Sequence, residues 1–312
     1  MKRGHGHGCL VLAVCLVLAA PSTADAALTE GARLAVVYDA ILDARFDQVD
    51  PLLKQACPPA PEGACAALRV VSLWWEISIN PDYRALDRRF TDLAAATIAA
   101  NEAWTRREPL RAEAWFYLAG AYAPRVQWRL LRGERIGAAR DGNKIREALE
   151  RALKLDPTMN DAYFGIGLYH YYADVAPVAA KMLRWLLFLP GGDRVAGLRE
   201  MLQAREGGEL ARGESDFQLH FVYVWYEKKP IEAIELLQQL DARYPYNPMF
   251  LQRVAEIRSS YLHDHVGSAS VWQQLLARSR SALVYAPQII ETRALAGIER
   301  ETRAAATRDE QR

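Results

Sequence analysis

The chain has 312 residues, 51% of them hydrophobic and 25% charged, with 39 basic and 38 acidic side chains for a formal charge of +1. That balance excludes a disordered chain, which would lack apolar content, and a strongly basic nucleic-acid binder. It leaves ample apolar surface for a continuous core.

The first element in chain order is a leader. Lys2 and Arg3 precede an apolar stretch from Cys9 to Ala20, and the small-residue site Ala24-Asp25-Ala26 follows Pro21. A basic start, a short apolar run and such a site form the pattern of a signal peptide over residues 1–26. The expectation is cleavage after Ala26 and a periplasmic or secreted protein. The competing reading is an uncleaved anchor, which needs ~20 apolar residues, more than this run supplies. Lipidation at Cys15 fits poorly, because apolar residues follow it where a polar tether should begin. Without Lys2, Arg3 and Asp25 the basic and acidic side chains are equal in number. A neutral chain has no long-range pull toward nucleic acid or an anionic membrane, so neither is the expected partner.

Residues 27–110 read as an N-terminal helical region, with helical spacing over 38–56 and 68–104 and no repeat signature. Between these stretches Cys57 and Cys65 bracket a loop rich in proline and glycine. In an oxidising compartment the pair predicts a disulfide that contributes about 2–3 kcal/mol by closing a short loop. Two free thiols are the alternative; a metal site would need further ligands, and no histidine lies near in sequence.

Over residues 111–286 prolines and glycines cut the chain into helix-sized pieces, roughly a dozen in the whole chain, and no alternating strand pattern interrupts them. The fold class is all-α. Trp115-x-x-Leu118-Ala119-x-x-Tyr122 begins one helix, and Ile145-x3-Leu149-x2-Ala152 leads to Pro157 in the next. The first pattern returns as Tyr163-x-x-Ile166-Gly167-x-x-His170. The spacing of the two copies exceeds the ~34 residues usual for such a repeat, so residues 124–143 are expected to form an elongated or inserted helix. Phe217 to Val224 is a degenerate third copy, and Ala233-x3-Leu237-x2-Leu240 ends before Pro245. Residues 287–312 read as a C-terminal helix and charged tail.

These residues resemble the tetratricopeptide repeat superfamily, strongly over residues 112–251 and weakly on either side. A finer likeness, carried by residues 164–172 and 189–198, is to exported bacterial tetratricopeptide proteins, and more distantly to a eukaryotic tetratricopeptide family linked to inclusion-body clearance. The resemblance implies a solenoid, a right-handed superhelix of antiparallel helix pairs, with a concave groove that holds a protein or peptide partner. It implies no catalysis and no cofactor. The family's ligand-facing positions correspond here to Glu113, Phe116 and Gly120 in one repeat and to Asp161, Phe164, Leu168 and Tyr171 in the next, with Tyr172 following. The competing reading is that aromatics at helical spacing are core.

Three further features have two readings each. Gly191-Gly192-Asp193-Arg194 opens a helix, where a phosphate could bind, but Asp193 suits an N-cap better. Arg125, Arg129 and Arg132 share a helix face that could meet an acidic partner or anionic lipid, or else pair locally. His263-Asp264-His265 does not converge into a metal site by itself. No phosphate loop, nucleophile motif or metalloprotease helix is present in the sequence. The alternative to a partner-binding scaffold is a ligand-binding or enzymatic envelope protein with its site in the N-terminal region; an accessory subunit held at the membrane by the arginine face is a third reading.

Overall fold

A computed structural model describes residues 28–175 and 191–310. The leader expected at 1–26 lies outside the described residues, as does part of the 189–198 stretch. Every regular element among the described residues is helical: α1 (Gly31–Leu42), α2 (Phe46–Ala56), α3 (Glu62–Ile79), α4 (Asp87–Arg107), α5 (Ala112–Leu131), α6 (Arg135–Leu155), α7 (Asn160–Val175), α8 (Arg194–Gly207), α9 (Arg212–Val222), α10 (Pro230–Arg243), α11 (Met249–Leu262), α12 (His265–Arg280) and α13 (Pro287–Glu310). A π-helical turn, Tyr223–Glu227, continues α9.

The local signals that end these helices are those of helix chemistry. Gly133, at φ +83, closes α5 in the left-handed conformation glycine adopts without penalty, and the Glu134 amide reaches back to the Arg129 carbonyl. Asp193 and Asp264 cap α8 and α12 through their carboxylates, and Pro230 opens α10 where its missing N–H costs nothing.

Residues 124–143 form no helix of their own. They are the end of α5, a three-residue turn and the start of α6, with Pro124 inside α5. α5 and α6 have 20 and 21 residues, whereas α8, α10 and α11 have 14 each, so the excess length extends both helices of this pair.

Short turns join α5 to α6, α11 to α12 and α12 to α13, and these helices pack on their neighbours, as does α9 on α10; α7 packs on α8, although residues 176–190 between them lie outside the described residues. The first helices α5, α9 and α11 present faces to the N-terminal helix α3. Trp75 of α3, fully buried, lies 4.9 Å from Phe217 of α9 and 6.2 Å from Phe250 of α11 between ring centroids. Arg293 of α13 donates to the Ile79 carbonyl, and Tyr285 to Glu76. α3 can occupy this position because it is apolar nearly all round, with Ala64, Leu68, Val70, Leu73, Trp75 and Ile77 all buried. One core therefore runs from Leu28 to Ala294. Cys57 and Cys65 form the expected disulfide, with Cα atoms 6.6 Å apart, tying the end of α2 to the first turn of α3.

Candidate functional site

The end of α7, the start of α8 and the π-helical turn meet in one place. Gly167 and Gly197 allow it: a Cβ on Gly167 would stand 2.7 Å from the Gly197 carbonyl oxygen, and one on Gly197 2.6 Å from that of Gly167. Backbone thus touches backbone where α7 crosses α8. Gly192 repeats the device against the α7 backbone at His170 and Asp174, and the Asp193 amide donates to the His170 carbonyl.

That close crossing aims side chains of α7 at the end of α9. Tyr171 donates to Glu227 at 2.5 Å, and Arg194 forks onto both oxygens of Glu227 at 2.9 and 2.7 Å. Tyr171, Tyr172 and Tyr226 stack edge-on, with centroids 5.7–5.8 Å apart. Beneath them lie Met201, Leu219, Val222 and Leu236, with Leu168 packed alongside. His170 reaches Glu200 of α8 at 2.7 Å.

The electrostatics hold these groups in fixed protonation states. Burial, then the Glu227 carboxylate, raise the Tyr171 pKa; burial, then Tyr226, raise that of Tyr172. The hydrogen bonds from Arg194 hold Glu227 below the usual carboxylate range. The two phenols therefore stay neutral and Glu227 stays ionised across physiological pH. Tyr171 is buried, and Tyr172 and Tyr226 keep part of their rings at the surface.

The residues singled out in the sequence do not converge on one spot. Leu168, Tyr171 and Tyr172 come together here, and Phe164 lies half-buried earlier on α7. Tyr171 itself is fully buried. On α5, Phe116 is half-buried against Tyr117, and a Cβ on Gly120 would meet nothing within 4 Å. Glu113 is buried and accepts from the Thr29 amide at 2.8 Å and its hydroxyl at 3.0 Å, so the chain's own N-terminal segment occupies it. Asp161 accepts from three consecutive amides, those of Glu209, Leu210 and Ala211, and anchors the connection between α8 and α9. The same self-occupation recurs further along, where Tyr38 of α1 donates to Glu214 and Asp39 meets Arg243 and Tyr244.

Sequence reading missed Tyr226 and Glu227, which lie just past the degenerate third copy at 217–224. The one available signal was the aromatic cluster Tyr223-Val-Trp225-Tyr226 just before Lys228-Lys229-Pro230. Of the other features, Asp193 accepts from Val195 and Ala196 as the N-cap of α8. Arg125 and Arg129 both meet Asp141, and Arg132 meets Asp87. His265 bonds Glu301, Asp264 caps α12, and among the described residues no group of three or more ligating side chains is arranged to hold a metal.

No family model matches the chain, and no curated protein matches it.

Proposed function

We propose that this is an exported tetratricopeptide-type solenoid that holds a protein or peptide partner and catalyses no reaction. What carries the reading is the half-exposed pair Tyr172 and Tyr226 on α7 and the π-helical turn, seated on the buried Tyr171, which Arg194 and Glu227 brace. Stacked helix pairs supply the scaffold; the small residue at the pair contact, Gly167 in α7 and the buried Ala119 in α5, supports the repeat assignment. Two of the positions the repeat resemblance assigns to a partner are held by the chain itself, Glu113 by Thr29 and Asp161 by the α8–α9 connection. The partner therefore docks where Phe164, Leu168, Tyr172 and Tyr226 remain half-exposed. Export rests on the leader pattern alone.

The test is affinity capture from cell envelopes with the parent and with Phe164→Ala/Tyr172→Ala, followed by mass spectrometry. The expected result is loss of at least one partner in the variant; an unchanged set of captured proteins removes the patch as the binding surface. A second reading has one observation in its favour: a cleft of about 440 Å³ beside the disulfide loop, lined by Pro59, Pro61, Gly63, Trp104, Arg107 and Arg111. A metabolite retained by the purified protein in native mass spectrometry would favour a ligand-binding role there.

A further inference from the structure

The parts that line the cleft beside the disulfide loop are not held equally firmly. Its floor lies where α3 packs on α4 and is lined by Gly63, Ala66, Ala100 and Ala103. A Cβ on Gly63 would stand 2.6 Å from the Trp104 ring and 2.7 Å from Asn101 Oδ1, so the two helices touch there and the floor cannot shift without moving one of them. Trp104 is 5% exposed and is braced from α5 and the turn before it. Its Nε1 donates to Glu108 at 3.0 Å, Arg111 donates to Glu108 at 3.0 Å and to Glu113 at 2.8 Å, and the ring stacks on Tyr117 with centroids 6.3 Å apart. These contacts fix the position of the ring.

Pro59 and Pro61 also line the cleft, and they belong to the loop Pro58-Pro59-Ala60-Pro61 between α2 and α3. Three of its four residues are prolines, which have no amide hydrogen to donate. The loop therefore has a single backbone donor, Ala60, whose amide reaches the Ala56 carbonyl at 2.8 Å. Toward α3 the Pro61 carbonyl accepts from the Ala64 and Cys65 amides. Ala60 is buried, Pro61 is half-buried, and Pro58 and Pro59 are exposed.

The covalent bond from Cys57, just ahead of the loop, to Cys65 in the first turn of α3 supplies the remaining constraint. The two sulfurs differ in access: Cys57 is half-exposed, whereas Cys65 is 2% exposed. The helices on either side have anchors of their own, because Leu53 and Ala56 of α2 and Ala64 and Leu68 of α3 are buried in the common core. Breaking the bond thus frees the proline loop and leaves the floor and Trp104 where they are.

We propose that the Cys57–Cys65 disulfide is a redox latch on this cleft, which a dithiol reductant opens by releasing Pro59 and Pro61 from its lining. A thiolate of the reductant attacks the more exposed Cys57 sulfur and forms a mixed disulfide with it, while Cys65 leaves as a thiolate and takes a proton. The second thiol of the reductant then displaces Cys57. Two electrons pass to the protein, both cysteines end as thiols and the reductant ends as a disulfide. The cleft keeps its closed shape where disulfides persist and loses it in a reducing compartment. The latch depends on neither the partner reading nor a bound ligand. Hydrogen exchange and hydroxyl-radical footprinting of the full chain, before and after dithiothreitol in native buffer, test it. Exchange at the Ala60, Ala64 and Cys65 amides is expected to become roughly tenfold faster, and oxidation of Trp104 to increase, with far-ultraviolet circular dichroism unchanged. Cys57→Ala/Cys65→Ala is expected to match the reduced protein with and without the dithiol. The proposal is overturned if the disulfide resists dithiothreitol until denaturant is added, or if reduction leaves exchange at residues 57–66 and oxidation of Trp104 as they were. Loss of the helical circular dichroism on reduction also overturns it, because the bond would then brace the whole fold.

Discussion

His220 is 1% exposed, wedged against Phe217 and Phe221 with ring centroids 4.9 and 3.8 Å away, and its Nδ1 donates to the Phe217 carbonyl. Burial pushes its pKa down to about 3; the bond to Phe217 opposes the shift, and Arg253 adds to it. The folded protein therefore keeps this ring neutral where the unfolded chain protonates it below about pH 6.5. The resulting stability is fully present above that value and is lost as pH falls toward 3, by up to about 1.4 kcal/mol per pH unit. Glu214 acts with the opposite sign, because burial raises its carboxyl pKa and its contribution is lost as pH rises through the carboxylate range. His220→Gln keeps a donor for the Phe217 carbonyl and removes the titration. The urea midpoint of the parent should drop relative to that of the variant between pH 7 and pH 5. Parallel profiles would show that His220 is not held neutral. At this scale the sequence announced residue types and little more. Glu113 and Asp161 were legible as acids on first helices, but their partners, Thr29 and the amides of residues 209–211, are far along the chain and were not.

The element scale was better marked, because a turn needs only local chemistry. The small residue at Gly167 was readable as a helix-contact position from its repeat pattern; that its partner would be Gly197, on a helix with no repeat signature, was not. Gly197→Ala would place a methyl 2.6 Å from the Gly167 carbonyl oxygen and the Tyr171 amide nitrogen. Backbone on both sides cannot yield easily, so the variant should lose about 1–3 kcal/mol in urea denaturation despite alanine's better helix propensity. Gly142→Ala, inside α6 with open space around it, should gain up to about 1 kcal/mol. If both substitutions stabilise alike, α7 and α8 do not touch at Gly197. The long α5–α6 pair shows the limit of punctuation: a turn closed by Gly133 lies between two extended helices, and Pro124 inside α5 read from the sequence as a boundary that packing overrode.

At the scale of the molecule, Trp75 joins α3 to α9 and α11, so the N-terminal helices and the helix pairs share one core and do not stand as separate units. Trp75→Ala should cost about 3–5 kcal/mol, and the parent should unfold in a single transition with far-ultraviolet circular dichroism and tryptophan fluorescence coincident. Two resolved transitions would mean that residues 27–110 fold apart from the rest. The all-helical class, the approximate number of helices and the pairing of Cys57 with Cys65 followed from periodicity, turn residues and an eight-residue separation, all of which act between near neighbours in the chain. That α1 and α3 would cover the faces of α5, α9, α11 and α13, and that Tyr171, Arg194 and Glu227 would meet, was decided by tertiary packing. The driving force for those contacts is burial of apolar surface, which is non-directional and leaves no mark of its partner in either segment.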